Sequence, residues 1–146
     1  MILDIQRQTK KLFRKYQTNC PFTIAKMLNI HVVYLDLPMS VKGYCQHVLR
    51  RKFIVLNQNL EEETERRFVC AHELGHMILH QGFSHYFLTR NTYFVSSKYE
   101  REAHQFAIHL LLANCEMQRD ETIQTLFKRC GIPEKMEIYF DLSTEK

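Results

Sequence analysis

The stretch CAHELGHMILH, residues 70–80, sets three histidines and a glutamate in one short run. Phe68, Val69, Leu74, Ile78 and Leu79 surround them with apolar side chains, and the run predicts a helix with a buried face. Residues four apart lie about 6 Å along a helix and about 40° around it, so His72 and His76 present their imidazoles on one face. Two neutral imidazoles so placed can converge on one Zn²⁺. Glu73, about 100° round from His72, points elsewhere, and suits a general base acting on a metal-bound water. His80 lies about 12 Å along the axis from His72 and about 80° round, out of reach of the same ion. It is expected to end the helix and bond a carbonyl or carboxylate, not to bind metal. Gly75 leaves room for another element to approach.

Outward from this helix, Asn57 or Asn59 is the expected cap and Glu61, Glu62 and Glu63 suit its positive end. The helix should run to about Gln81 and stop at Gly82. Upstream, a ragged apolar pattern over residues 3–17 (Leu3, Ile5, Leu12, Phe13, Tyr16) predicts a first helix, and Pro21 or Thr23 starts a second. HVVYLDLP reads as a strand, and KGYCQHV with KFIVLNQ as a hairpin turning at residues 50–52. KFIVLNQ is also the expected exposed edge on which a peptide could pair as an added strand. Downstream, a long helix is expected over residues 98–113, then ETIQTLFKRC and a last helical piece after Gly131 and Pro133. Most helix follows most strand. The layout is α+β, a small three-stranded sheet packed on helices.

A catalytic zinc takes three protein ligands and keeps one position for water. The third candidate lies in KYEREAHQFAIHLLLAN, residues 98–114. On a helical projection Glu100 falls at the edge of the apolar face made by Ala103, Ala107, Leu110 and Leu111. Glu102, at about 200°, falls well outside its centre. Glu100 is therefore the better third ligand, with Glu102 the alternative. Two imidazoles and a carboxylate also suit Mn²⁺ or Fe²⁺.

The 146 residues, 45% apolar and 25% charged, are enough for one globular domain and too few for two of ordinary size. A single domain over residues 1–146 is expected, with residues 117–146 a helical extension. No apolar run approaches the ~20 residues that cross a membrane, and MILDIQRQTKKLFRKY lacks the apolar core of a secretory signal. A cytoplasmic protein is expected. Five scattered cysteines without a CxxC pair are expected as reduced thiols. The net charge of +4 draws on Arg7, Lys10, Lys11, Arg14 and Lys15, and on Arg50, Arg51 and Lys52, which read as solvated faces. TIAKMLNIHVV could be half of a helix-turn-helix, but no second basic helix follows to read DNA.

HELGHMILH followed by YEREAHQFAIHLLL resembles the ImmA/IrrE family of zinc metallopeptidases, whose pattern is roughly HELGHxxLH and then ExxANxFAxxLLMP. FTIAKMLNIHV, KFIVLNQNLEEETERRFVCAHE and LFKRCGIPEKM are similar to further parts of the family, so the resemblance spans about residues 20–140. It implies a zincin-like fold with His72, His76 and Glu100 as zinc ligands and Glu73 as the catalytic glutamate. It also implies a function, cleavage of a helix-turn-helix transcriptional repressor that releases the genes of a phage or mobile element. No direct nucleic-acid binding and no membrane are expected. A zinc-containing module that binds a repressor without cutting it is the competing reading. His104 stands where the family often has Asn, and Ala113 where it often has Pro. Tyr93, His85 and His104 are candidates for stabilising an oxyanion.

Overall fold

The computed structural model describes residues 2–80 and 97–140. In chain order these form α1 (Ile2–Tyr16), α2 (Pro21–Met27), β1 (Ile30–Leu35), β2 (Gly43–Val48), β3 (Arg51–Asn57) and α3 (Glu63–Leu79). They continue with α4 (Ser97–Leu112), α5 (Ile123–Cys130) and a 3₁₀ turn (Glu134–Tyr139). The architecture is α+β, as the order of elements predicts. Pro21 opens α2, where its fixed φ and missing N–H cost nothing. Gly131 closes α5 in the left-handed conformation, φ 74°, which a side chain would resist. The segment NIHVV feeds β1, so the stretch read as half of a helix-turn-helix is helix and strand instead.

The sheet order is β1-β3-β2. β2 and β3 form the expected antiparallel hairpin, with Cys45 opposite Ile54 and Gly43 opposite Leu56. β1 lies parallel to β3 on its other side, with Val32 opposite Ile54. KFIVLNQ is therefore the central strand, not an edge. A hairpin pattern tells which strand β3 pairs with next, but not that β1 returns to its far side. Among the described residues the free edges belong to β1 and β2.

A single apolar cluster joins Ile5 of α1, Ile24 of α2, Ile54 and Leu56 of β3, Leu74 of α3, Phe106 and Leu110 of α4, and Phe127 of α5. Arg7, Lys10, Lys11, Arg14 and Lys15 of α1 face solvent, which suits the reading of a solvated face. Asn57 does not cap α3. Its amide nitrogen donates to the carbonyls of Leu37, Pro38 and Val41, and its Oδ1 accepts from the backbone of Asn59, so it organises the β1–β2 loop from a buried position. Glu62 occupies the cap position of α3 without a side-chain bond. Arg66 donates to the carbonyl of Leu60 and ties the chain's entry to the helix instead. Cys115 and Cys130 form a disulfide, contrary to the expectation of reduced thiols. The chain turns back after α4, so Cys130 at the end of α5 lies beside Cys115, three residues past the end of α4. Cys20, Cys45 and Cys70 are free. Gln81 and Gly82 lie outside the described residues, and α3 ends at Leu79.

Candidate metal centre

Residues 68–77 of α3 are buried throughout, among them His72, Glu73 and His76. Glu63 and Glu65 in its first turn match the positive end of the helix. α4 approaches closely at Gly75, where an added Cβ would stand 3.0 Å from the Cβ of Phe106. That close crossing is what sets the first turns of α4 against the histidines of α3.

The carboxylate of Glu100 bridges the two helices. Its Oε2 lies 3.1 Å from Nε2 of His72, and its Oε1 lies 3.1 Å from Nε2 of His76. His104, one turn further along α4, brings its Nε2 to 3.8 Å from Oε2 of Glu100. Donor atoms of His72, Glu100 and His104 all fall within 4.8 Å of one another, a second combination that shares two members with the expected set. The ring of His104 lies 4.4 Å from that of His72 and stacks on Tyr139 at 4.5 Å. Glu73 is 3% exposed, and its Oε2 has no hydrogen-bond partner among the described residues. It sits beside the thiol of Cys45 on β2, which hydrogen-bonds it.

Burial alone would raise the carboxyl of Glu100, but hydrogen bonds and charge from His72 and His76 outweigh it and hold it far below the usual range. Burial would likewise lower His72, yet its bond to Glu100 and the charges of Glu73 and Glu100 raise it. Glu73 goes the other way, raised chiefly by burial. Burial and the neighbouring His72 push His104 down to about 3, so that imidazole is neutral at ordinary pH. Two carboxyl groups that line one cleft thus shift in opposite directions, Glu100 held in its charged form by His72 and His76 and Glu73 pushed toward its neutral form by burial.

These surfaces open into a cleft of about 770 Å³, whose walls include Lys42, Gly43, Phe68, Val69, His72, Glu73, Glu100, His104, Ile132 and Met136. The structure brings His72, His76 and Glu100 together and sets Glu73 in the same cleft. His80 and Glu102 stand elsewhere. His80 is not at the cluster's open side but behind His76, with Nδ1 2.9 Å from Nδ1 of that residue. Glu102 is not on the solvent side of its helix. It is 6% exposed, deeper than the projection allows, because α4 is packed by α1 as well as by α3 and so has more than one buried face. His85 and Tyr93 lie outside the described residues.

The donor set fits a metal ion. In a tetrahedral site with bonds of about 2.0–2.1 Å, ligand atoms stand about 3.3 Å apart. Each oxygen of Glu100 stands 3.1 Å from one histidine nitrogen, Oε2 from His72 and Oε1 from His76, near that edge length. The buried Oε2 of Glu73 remains without a partner beside them. Nitrogen, nitrogen and carboxylate oxygen together suit a borderline divalent cation.

A small mixed sheet backed by helices, with imidazoles and a carboxylate converging in a cleft, is an α+β frame built round a candidate metal centre. The chain belongs to the ImmA/IrrE family of metallopeptidases: residues 25–139 match the family described as IrrE N-terminal-like domain. It is 35% identical over 146 residues to "Uncharacterized immunity region protein 2" of Bacillus phage phi105, covering 97% of this chain and 92% of that one. It is 28% identical over 112 residues to "Metallopeptidase ImmA" of Bacillus subtilis (strain 168), covering 75% of this chain and 64% of that protein. No solved structure matches it significantly. Among the described residues no helix is long and apolar enough to cross a membrane.

Proposed function

We propose that this chain is a single-domain, zincin-like endopeptidase of the cytoplasm that cleaves a helix-turn-helix repressor of a phage or mobile element. In this reading His72, His76 and Glu100 hold a zinc ion. Such an ion, when bound, polarises a scissile carbonyl and acidifies a water. Glu73 takes the proton of that water and passes it to the leaving amine. The observation that carries the reading is the state of Glu73. A buried carboxyl in the wall of the cleft and next to the donor cluster, raised by its burial, suits a group that takes up and passes on a proton. A purely structural site has no use for it.

The substrate backbone is best placed along β2. Among the described residues that strand has one unpaired edge, and Gly43 at its start lines the cleft. An extended peptide added there runs past Glu73 and the cluster. The resemblance in sequence supports a repressor as substrate, and the phage relative's name supports an immunity region as the setting.

The test is Glu73→Gln. Cleavage of a helix-turn-helix repressor found to be cut by the wild-type protein should fall by about 10²–10⁴-fold, the usual worth of a general base. Bound metal should remain at the wild-type level. A variant that cuts at the normal rate sinks the assignment of the base. A wild-type protein that holds the repressor in a stable complex without cutting it sinks the peptidase reading in favour of a binding module.

A further inference from the structure

α3 and the residue that caps its end carry histidines at four-residue steps, His72, His76 and His80, and α4 carries Glu100 and, two residues on, Glu102. Only part of this pattern faces the cleft. His76, with no exposed surface, uses both sides of its ring. Its Nε2 is 3.1 Å from Oε1 of Glu100, and its Nδ1 is 2.9 Å from Nδ1 of His80. His80, 3% exposed, sets its Nε2 toward Oε1 of Glu102 at 3.9 Å. His80 and Glu102 belong to neither the donor cluster nor the apolar core, and both are buried.

Two ring nitrogens 2.9 Å apart share one proton, so one of them donates and the other accepts. Metal binding decides which. A ligand nitrogen must offer its lone pair, so coordination through Nε2 of His76 places that ring's proton on Nδ1. Nδ1 of His76 then donates to Nδ1 of His80. His80, accepting there, carries its own proton on Nε2, the atom that faces the carboxylate of Glu102. The first link is a hydrogen bond, and the second, at 3.9 Å, is a longer electrostatic contact that ends on the carboxyl group of Glu102.

Resting on the metal-centre reading above, we propose that His80 and Glu102 are positioning residues: they form a buried imidazole–carboxylate chain that fixes the ring and tautomer of His76 for metal binding through Nε2. Outer partners of this kind raise the basicity of a ligating imidazole and hold its plane, and their loss typically weakens metal binding 10–100-fold. A histidine as the intermediate link lets a carboxylate on one helix act on a ligand of the other.

The experiment measures zinc affinity of the full chain by competition with a chromophoric chelator, in wild type, Glu102→Gln, His80→Phe and His72→Ala. Glu102→Gln and His80→Phe should bind zinc about 10–100-fold more weakly, and His72→Ala should lose it far more completely. In zinc-loaded wild type, nitrogen-15 spectra should show His76 coordinated at Nε2 with its proton on Nδ1. Unchanged affinity in Glu102→Gln and His80→Phe, alongside loss in His72→Ala, overturns the chain and leaves the metal centre standing. Unchanged affinity in His72→Ala overturns the metal centre itself. Should His80→Phe fail to fold, the near-isosteric Glu102→Gln and the wild-type spectrum decide; metal on Nδ1 of His76 overturns the proposal.

Discussion

The two halves of α4 are built on different terms. In the first, Glu100, Glu102 and His104 are polar, wholly or partly buried, and each faces a histidine of α3 or of its C-cap within 4.4 Å. In the second, Phe106, Ala107, Ile108, Leu110 and Leu111 are apolar and fully or almost fully buried. The one buried polar residue there, His109, is 9% exposed, and its Nε2 has no partner among the described residues. Burial disfavours its charged form, and the charge of Lys10 on α1 adds to that, so its pKa falls to about 4. One helix thus shows both ways of keeping ionisable groups inside a protein. The first half pairs them and fixes their charge, and the second leaves one neutral.

The pairing half should give the largest effect. Glu100→Ala removes the carboxylate that bridges both histidines, and bound metal should fall below stoichiometric levels. Glu102→Ala, which acts only behind His76, should lose far less. Metal analysis in the reverse order would move the third ligand to Glu102. The neutral half gives a pH effect next in size. Because folding lowers His109 from 6.5 to about 4, the unfolded chain binds more protons between those values. Its contribution is fully present above pH 6.5 and is lost as pH falls toward 4, on the order of 3 kcal/mol. In chelator-treated protein, His109→Leu should lose less stability than wild type across that window, read from urea midpoints. Parallel curves would show that His109 has found a partner. The smallest effect tests the joint between the halves. Gly75→Ala should destabilise by about 1–2 kcal/mol in thermal melts, since a Cβ 3.0 Å from the Cβ of Phe106 meets an atom anchored to backbone. Net stabilisation, as helix propensity alone would give, would mean that α3 and α4 separate easily.

The same comparison explains what could be read from sequence. The convergence of His72 and His76 was legible because four-residue spacing fixes neighbours on one helix whatever surrounds it. Gly75 as a point of close approach was legible too. Glu102 was misplaced because a projection with one buried face assumes one packing partner, and α4 has both α1 and α3. His80 was set aside on its distance from His72, although the informative neighbour is His76, four residues before it. The error over KFIVLNQ has a similar origin. A local pattern shows the hairpin with β2, while the parallel return of β1 depends on where α2 sends the chain. Asn57 looked like a helix cap because its residue type suits one, yet the β1–β2 loop uses the same amide.

The carboxylate of Glu100 meets His76 across 24 positions of sequence. An ion held between them would act as a cross-link as well as a reagent, shrinking the freedom of the unfolded chain as any clip across a long loop does. A site present only in the folded state gains stability by mass action, about 2.7 kcal/mol when free metal stands a hundredfold above its dissociation constant. That is a large share of the 5–15 kcal/mol that holds most domains together. Metal supply would then govern how long each copy of the chain survives proteolysis.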